Sequence, residues 1–460
     1  MIESSFEEVS FRRVTEEQEV FSKAWVETQI NDSTNELVVL RQVIPWQSII
    51  NQLTQFYKSN SGRIGKSLRV MVALMILSRL RSLSDDKVVE QVKENRYMQY
   101  FCNVPDTEIA NFVNPSVLCR FRQRLGEKGL SIIETEVFEL LQQSGVIKRD
   151  TLMMDSTVLS SNIIHPNDVL LIYKAFSKMC IFANSHEIPF WWNQSHVKKQ
   201  WRAFGRSKKG ERVSYLKEFY SLFTPALETF CTHVEMLKAS ENDLESEKEK
   251  THNLLKLLTL LKDQTQQKLS GEQHIDNRIV SLDEIDARPI KKGKSHPSCE
   301  FGTTLQMSFN RQGFMITTEN LIGSPSDKTL YGNTLNLFVH RMHGYPDVSV
   351  TDMGFRSREN IKNTPKSISH VFLGCSNDVA TDQQEYCCKA RSATEGFIAV
   401  AKHFRGFGKS LYHRLHGDKV WTLMCQTAYN LKKFLQLYRD EKLEEKSLRS
   451  LGLIEVFHSV

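Results

Sequence analysis

From residue 66 onward the apolar positions recur at helical spacing. The stretch "KSLRVMVALMILSRLRSLSDDKVVEQVKENRYMQYFC" predicts two helices separated at Ser82 to Ser84. Ser84 can cap the second helix, and Asp85 and Asp86 suit its first turn, where the helix dipole favours negative charge. A third helix is predicted to start at Asn114-Pro115, cap followed by proline at the first helical position, and to run to Gly126. An earlier helix is expected near "PWQSIINQLTQFYKS".

The period then changes. "RDTLMMDSTVLSSNIIHPND" (149–168) predicts a strand, with Asp155 directly after the apolar run Leu152, Met153 and Met154. Residues 169–275 return to helical spacing and contain no second strand of quality. Within them, "VEMLKASENDLESEKEKTHNLLKLLTLLKDQTQQKL" reads as an exposed helical hairpin with one apolar stripe, without sustained heptads. Strands resume at "CEFGTTLQMSFN" and "FMITTENLIG", a β-hairpin around the loop "RQG". A helix over 327–343, a strand in "PDVSVTDMGF", a strand in "ISHVFLGC" and a helix in "SATEGFIAVAKHF" complete the order. Strand, hairpin, helix, strand, helix predicts an α/β fold around one mixed sheet.

Composition changes this picture little. The 460 residues are 40% hydrophobic and 25% charged, as in an ordinary globular chain, and long enough for two or three domains. The longest apolar run, "VMVALMIL", is far too short for a bilayer span, so no membrane partner is expected. "MIESSFEEVSFRR" lacks a basic region followed by an apolar core, so no secretory signal is expected. Nine cysteines without a CxxC pair suggest a reduced, cytoplasmic setting rather than a zinc site. The net charge of +6 permits nucleic-acid binding without demanding it.

Local charge is more informative. Arg120, Arg122 and Arg124, with Arg79 and Arg81, make the early helices a candidate DNA-facing surface, or a solvated face of a helical bundle. The segment 196–217, "HVKKQWRAFGRSKKGERVSYLK", carries eight Lys or Arg against one Glu, with Trp201 and Phe204 interleaved. Lys198, Lys199 and Arg202 suit phosphates, and Trp201 suits stacking on an unpaired base. A surface helix with buried tryptophans, Trp191 and Trp192 included, would read similarly. "KKGK" at 291–294 reads as a linker turn, and Arg405, Lys409, His413, Arg414 and Lys419 as DNA-tracking or simply solvated. His165 is expected to cap or pack beside the first strand rather than bind metal.

An ionised carboxylate inside a strand is costly unless it is paired, protonated or metal-bound. Asp155 and Asp352 sit at or near strand ends, and Glu395 lies on a helix soon after. Strands of one sheet bring their ends together, so the three acids can converge, and cations would keep them ionised. Two Mg²⁺ ions about 4 Å apart would do so and would suit phosphodiester chemistry. Arg391, Glu395 and Lys402, spaced by four and seven, share one helical face, so a cation flanks the acid on each side.

"MMDSTVLSSNIIHPND", "VTDMGFRSREN" and "RSATEGFIAVAKHFRG" together resemble the DDE transposases of bacterial insertion sequences, in their RNase H-like, YREK-bearing branch, with the ISNCY group most similar. "KKGKSHPSCEFGTTLQM", "GSPSDKTL" and "CQTAYNLKKF" look like recurring segments of that family, and the early helical region is similar to its N-terminal domain. The resemblance implies an RNase H-like mixed sheet with an all-helical N-terminal domain and a large helical insertion after the first strand. The implied boundaries are 1–147, 148–168 for the first strand, 169–290 for the insertion, 291–440 for the rest of the catalytic domain and 441–460 for a tail.

It further implies Asp155, Asp352 and Glu395 as ligands of two Mg²⁺ ions, replaceable by Mn²⁺, and Arg391 and Lys402 as DNA contacts. Cys388 stands where the signature has tyrosine, with Tyr386 two positions earlier. The implied partners are double-stranded DNA, both element terminal repeats and target, and a second copy of the chain. The rival expectations are a decayed repressor that only binds element ends, and an RNase H-type nuclease.

Overall fold

The computed structural model describes residues 20–57, 65–190, 194–238, 245–291, 299–374 and 381–453. In chain order the early helices are α1 (Lys23–Gln29), α2 (Glu36–Val43), α3 (Trp46–Leu53), α4 (Leu68–Leu80), α5 (Asp85–Glu94), α6 (Arg96–Cys102) and α7 (Pro115–Gln143). Strand β1 (Thr151–Ser160) follows, then α8 (Asp168–Ser185), α9 (Gln194–Arg206), α10 (Arg212–Lys238) and α11 (Glu245–Leu269). Next come β2 (Arg288–Ile290), β3 (Glu300–Phe309), β4 (Met315–Leu321), α12 (Asp327–Met342), β5 (Val348–Thr351), α13 (Arg358–Asn363) and β6 (His370–Leu373). Helices α14 (Thr381–Phe404), α15 (Arg414–Arg439) and α16 (Glu445–Ser450) end the described chain. Two compact units result, one of residues 161–303 and one of the described residues before and after them.

Local chemistry accounts for most helix boundaries. The Ser84 side chain accepts from the Lys87 amide, and Asn114 caps α7 by accepting from the Ser116 amide, with Pro115 at the first helical position. Asn95 ends α5 and caps α6, so the stretch after residue 66 forms three helices rather than the predicted two. Gly126 adopts a left-handed φ of 56° and breaks α7 where the helix was expected to stop. The chain nevertheless resumes as helix, because Leu130, Ile133, Val137, Phe138 and Leu141 continue an apolar stripe into the core.

In the larger unit the strands run in the order β4-β3-β1-β5-β6. β1, β5 and β6 are parallel, and β3 and β4 form the predicted antiparallel hairpin around residues 311–313. Gly313 is required in that turn: its φ is +86°, and an added Cβ would collide with the Phe397 ring. Alternate residues of β1 serve opposite faces. Leu152 and Met154 join a core with α4, α7, α12 and α15, so the early helices and the sheet share one apolar interior. Met153 joins a second core with Val350, Phe372 and the α14 residues Cys387 and Ala401. A strand covered on both faces must be apolar throughout, which explains the run before Asp155.

The unit of residues 161–303 is helical as expected, with α8, α10 and α11 packed around Phe176, Phe219, Phe223 and Phe230. The predicted helical hairpin corresponds to α10 and α11, which pack together. The short strand β2, which pairs antiparallel with the first residues of β3, has too few residues to leave a periodic signal. Trp191, Trp192 and Lys292 to Lys294 lie outside the described residues. Among the described residues no helix is long and apolar enough to cross a membrane.

Candidate active site

The site is built from the register of two parallel strands. Met153 of β1 pairs with Val350 of β5, the last pair of that ladder; Asp155 lies two residues beyond the first and Asp352, just past the end of β5, two residues beyond the second. Strand alternation sets Asp155 on the side of Met153, the side that α14 covers. Asp155 is only partly buried between fully buried neighbours, so its strand opens to solvent at the acid.

Backbone amides orient both side chains. Ser156 N–H donates to Asp155 Oδ1 at 2.7 Å, and Gly354 N–H donates to Asp352 Oδ1 at 2.7 Å. The second bond belongs to a single 3₁₀ turn, Met353–Phe355, capped by Asp352 itself. Bonds of this kind fix the direction of a carboxylate.

Glu395 lies on α14, exposed at the helix surface. Cys387, Thr394 and Ala401, spaced by seven, form the buried stripe that faces the sheet. At about 100° per residue, Arg391, Glu395 and Lys402 fall together on the adjoining flank, as their spacing predicted. The two aspartates thus lie on or just beyond neighbouring strands, while Glu395 is carried by the helix packed over β1 and β5. Among the described residues no three His, Cys, Asp or Glu side chains are gathered closely enough to hold a metal ion, these acids included. Asp155 and Asp352 nevertheless offer the hard carboxylate oxygens that suit Mg²⁺ or Mn²⁺. Tyr386, near the position of the expected tyrosine, lies 3.4 Å from the Thr151 hydroxyl, whereas Cys388 is exposed.

Residues 26–124 match the family described as Transposase domain (DUF772). An uncharacterized protein of Rhizobium meliloti, ORF8 in the nfe locus, is 32% identical over 186 residues, 40% of this chain and 87% of that protein. The chain belongs to this transposase family. No solved structure matches it.

In this transposase-family protein the matched region runs from within α1 into α7 and stops just before the Gly126 break. Its arginines do not form the uniform basic face read from the sequence. Arg122 is 8% exposed and forms a bidentate pair with Asp85, at 2.9 and 2.6 Å. Burial works against its charge, yet the Asp85 carboxylate raises its pKa above the ordinary arginine value. Arg79 lies over the Trp421 ring, and Arg81 pairs with Glu36. The reason is tertiary: α15 brings Trp421 against the early helices, and aromatic rings attract guanidinium groups. Arg120 remains exposed, and Arg124 is half-buried over Tyr57.

On α9 the two alternatives from the sequence divide by face. Lys198, Lys199 and Arg202 are exposed. Trp201 points the other way, stacked on Tyr173 at 5.0 Å and packed against the helical core with Phe204. His165 stands edge-on to Phe301 at 5.4 Å, the packing role expected of it. Asp168, three residues on, accepts from Lys268 and from Arg278.

Proposed function

We propose that this transposase-family protein is a DDE transposase, which cleaves the ends of an insertion sequence and joins them to target DNA. The observation that carries the reading is that Asp155 and Asp352 each follow by two residues the paired Met153 and Val350 of adjacent parallel strands, and that a backbone amide orients each carboxylate. In this reading they are the rigid half of an acid triad. The strand order β4-β3-β1-β5-β6, with one antiparallel hairpin edge, supports the RNase H-like assignment.

In this reading Asp155, Asp352 and, from α14, Glu395 would hold two divalent cations. When bound, Mg²⁺ or Mn²⁺ supplies Lewis acidity to the scissile phosphate and to the attacking and leaving oxygens. The protein's part is to hold these acids and to aim the DNA. Arg391 and Lys402, on the same helical flank as Glu395, neutralise phosphates on either side of the scissile bond. The exposed Lys198, Lys199, Arg202 and Arg120 neutralise phosphates further along the double-stranded DNA. Hydrolysis frees a 3′-OH at the element end. That hydroxyl then attacks a target phosphodiester in line, forming one P–O bond as another breaks, so no covalent protein intermediate is needed. Two ends must be joined together, so the working form is a dimer on DNA.

The test is a cleavage and strand-transfer assay on DNA carrying the flanking element ends, comparing the chain with Asp155→Ala. Loss of cleavage with retained end binding is the expected result. Cleavage without strand transfer would indicate a nuclease, end binding without cleavage in Mg²⁺ or Mn²⁺ a decayed repressor, and equal activity of both proteins would remove Asp155 from the chemistry.

A further inference from the structure

Asp327 lies near both groups that orient the two aspartates. Successive strand residues face opposite ways, so Ser156 points away from Asp155, toward the side of the sheet covered by α12. There its hydroxyl donates to Asp327 Oδ1 at 2.8 Å, while its backbone N–H holds Asp155 Oδ1. Ser156 is 9% exposed, so this bond is formed largely out of water. Asp327 is the first residue of α12. An acid there is favoured by the helix dipole, which is the ordinary account of the residue.

That account leaves a second feature aside. A Cβ added to Gly354 would stand 3.0 Å from Asp327 Oδ2 and 3.0 Å from Asp352 Oδ1, so both carboxylates crowd this turn residue, whose amide orients Asp352. Asp327 therefore accepts from the residue that orients Asp155 and lies beside the residue that orients Asp352.

We propose that Asp327 is a positioning residue. Lying on the reverse side of the sheet from Asp155, it braces Ser156 and the turn at Gly354 so that Asp155 and Asp352 keep their orientations for a divalent cation. This rests on the DDE reading above. Partners one layer behind a metal ligand typically set affinity by about 10- to 100-fold, because they fix the ligand's direction.

The experiment measures Mn²⁺ binding by the full chain from the loss of the free-ion paramagnetic resonance signal, alongside end cleavage against Mg²⁺ concentration and the thermal midpoint. Ser156→Ala and Asp327→Ala are each expected to weaken Mn²⁺ binding about tenfold or more, and the double variant no more than Asp327→Ala alone, since both break the bond between Ser156 and Asp327. Asp327→Asn keeps the acceptor oxygen and is expected to recover most of the affinity, which a purely electrostatic or helix-dipole role would not allow. Asp327→Asn as weak as Asp327→Ala would overturn the bracing role in favour of charge. Wild-type binding in Ser156→Ala and Asp327→Ala, with binding lost in Asp155→Ala, would overturn the brace and leave the DDE reading standing. No Mn²⁺ binding that depends on Asp155 would overturn both.

Discussion

Asp155 and Asp352 each lie two residues beyond Met153 and Val350, which pair across the parallel strands β1 and β5. Groups acting as one unit give non-additive losses. Asp155→Ala and Asp352→Ala are each expected to lower end cleavage by about 10³-fold or more, matching the several kcal/mol that a metal centre contributes. The double variant should be no worse. Gel-shift measurement of end binding in all three should remain near wild type; a double variant that is 10³-fold below either single one would separate the two residues functionally.

The basic and aromatic faces of α9 should come apart on mutation. Replacing Lys198, Lys199 and Arg202 with alanine is expected to flatten the salt dependence of DNA binding, by about 0.9 in log–log slope for each phosphate contact removed, at an unchanged thermal midpoint. Trp201→Ala should instead cost about 2–3 kcal/mol of stability, below the range for a fully buried ring, without changing that slope. Urea unfolding and binding titrations at several salt concentrations read the two effects separately.

Glu134 is 1% exposed and pairs with Arg341, whose guanidinium also lies 3.9 Å from the centroid of the Phe138 ring. This pair joins α7 to α12, the helix that carries Asp327. Glu134→Ala leaves a partly buried cation without its partner and is expected to cost about 3 kcal/mol, whereas replacing both partners with apolar residues should cost much less. Urea unfolding of the three proteins checks the order; equal loss in single and double variants would point to packing rather than charge.

Acid should destabilise residues 161–303 through two aspartates. Burial opposes the charge of Asp168, but Arg278 and Lys268 outweigh it and hold the carboxyl below its ordinary pKa. Burial likewise opposes the charge of Asp283, and Lys178 and Lys174 hold its pKa down to about 2. A depressed folded value means the stabilisation is fully present above the unfolded aspartate value, about 3.9, and is lost as pH falls through the folded values. Thermal midpoints should thus decline below about pH 4, and less steeply in Asp168→Asn, which has no charge to lose.

What the sequence determined by itself is what short-range chemistry controls. Ser84 and Asn114 cap their helices wherever those helices go, because a cap needs only the next turn of backbone. The "RQG" turn sets its hairpin for the same reason, and the apolar run before Asp155 marks a doubly covered strand. The flank shared by Arg391, Glu395 and Lys402 is likewise a property of helical spacing alone.

Tertiary structure decided everything that depends on which elements meet. Which residues of β1 lie beside β5 is a matter of register between strands far apart in sequence, and a slip of one residue would turn Asp155 to the opposite side of the sheet. Arg122 turned inward because Asp85 and Tyr412 converge on it, which no local charge count can register. Ser156 and Asp327 carry no signal of their own, a serine in a strand and an acid opening a helix. Only the packing of α12 behind β1 brings the hydroxyl of one to the carboxylate of the other.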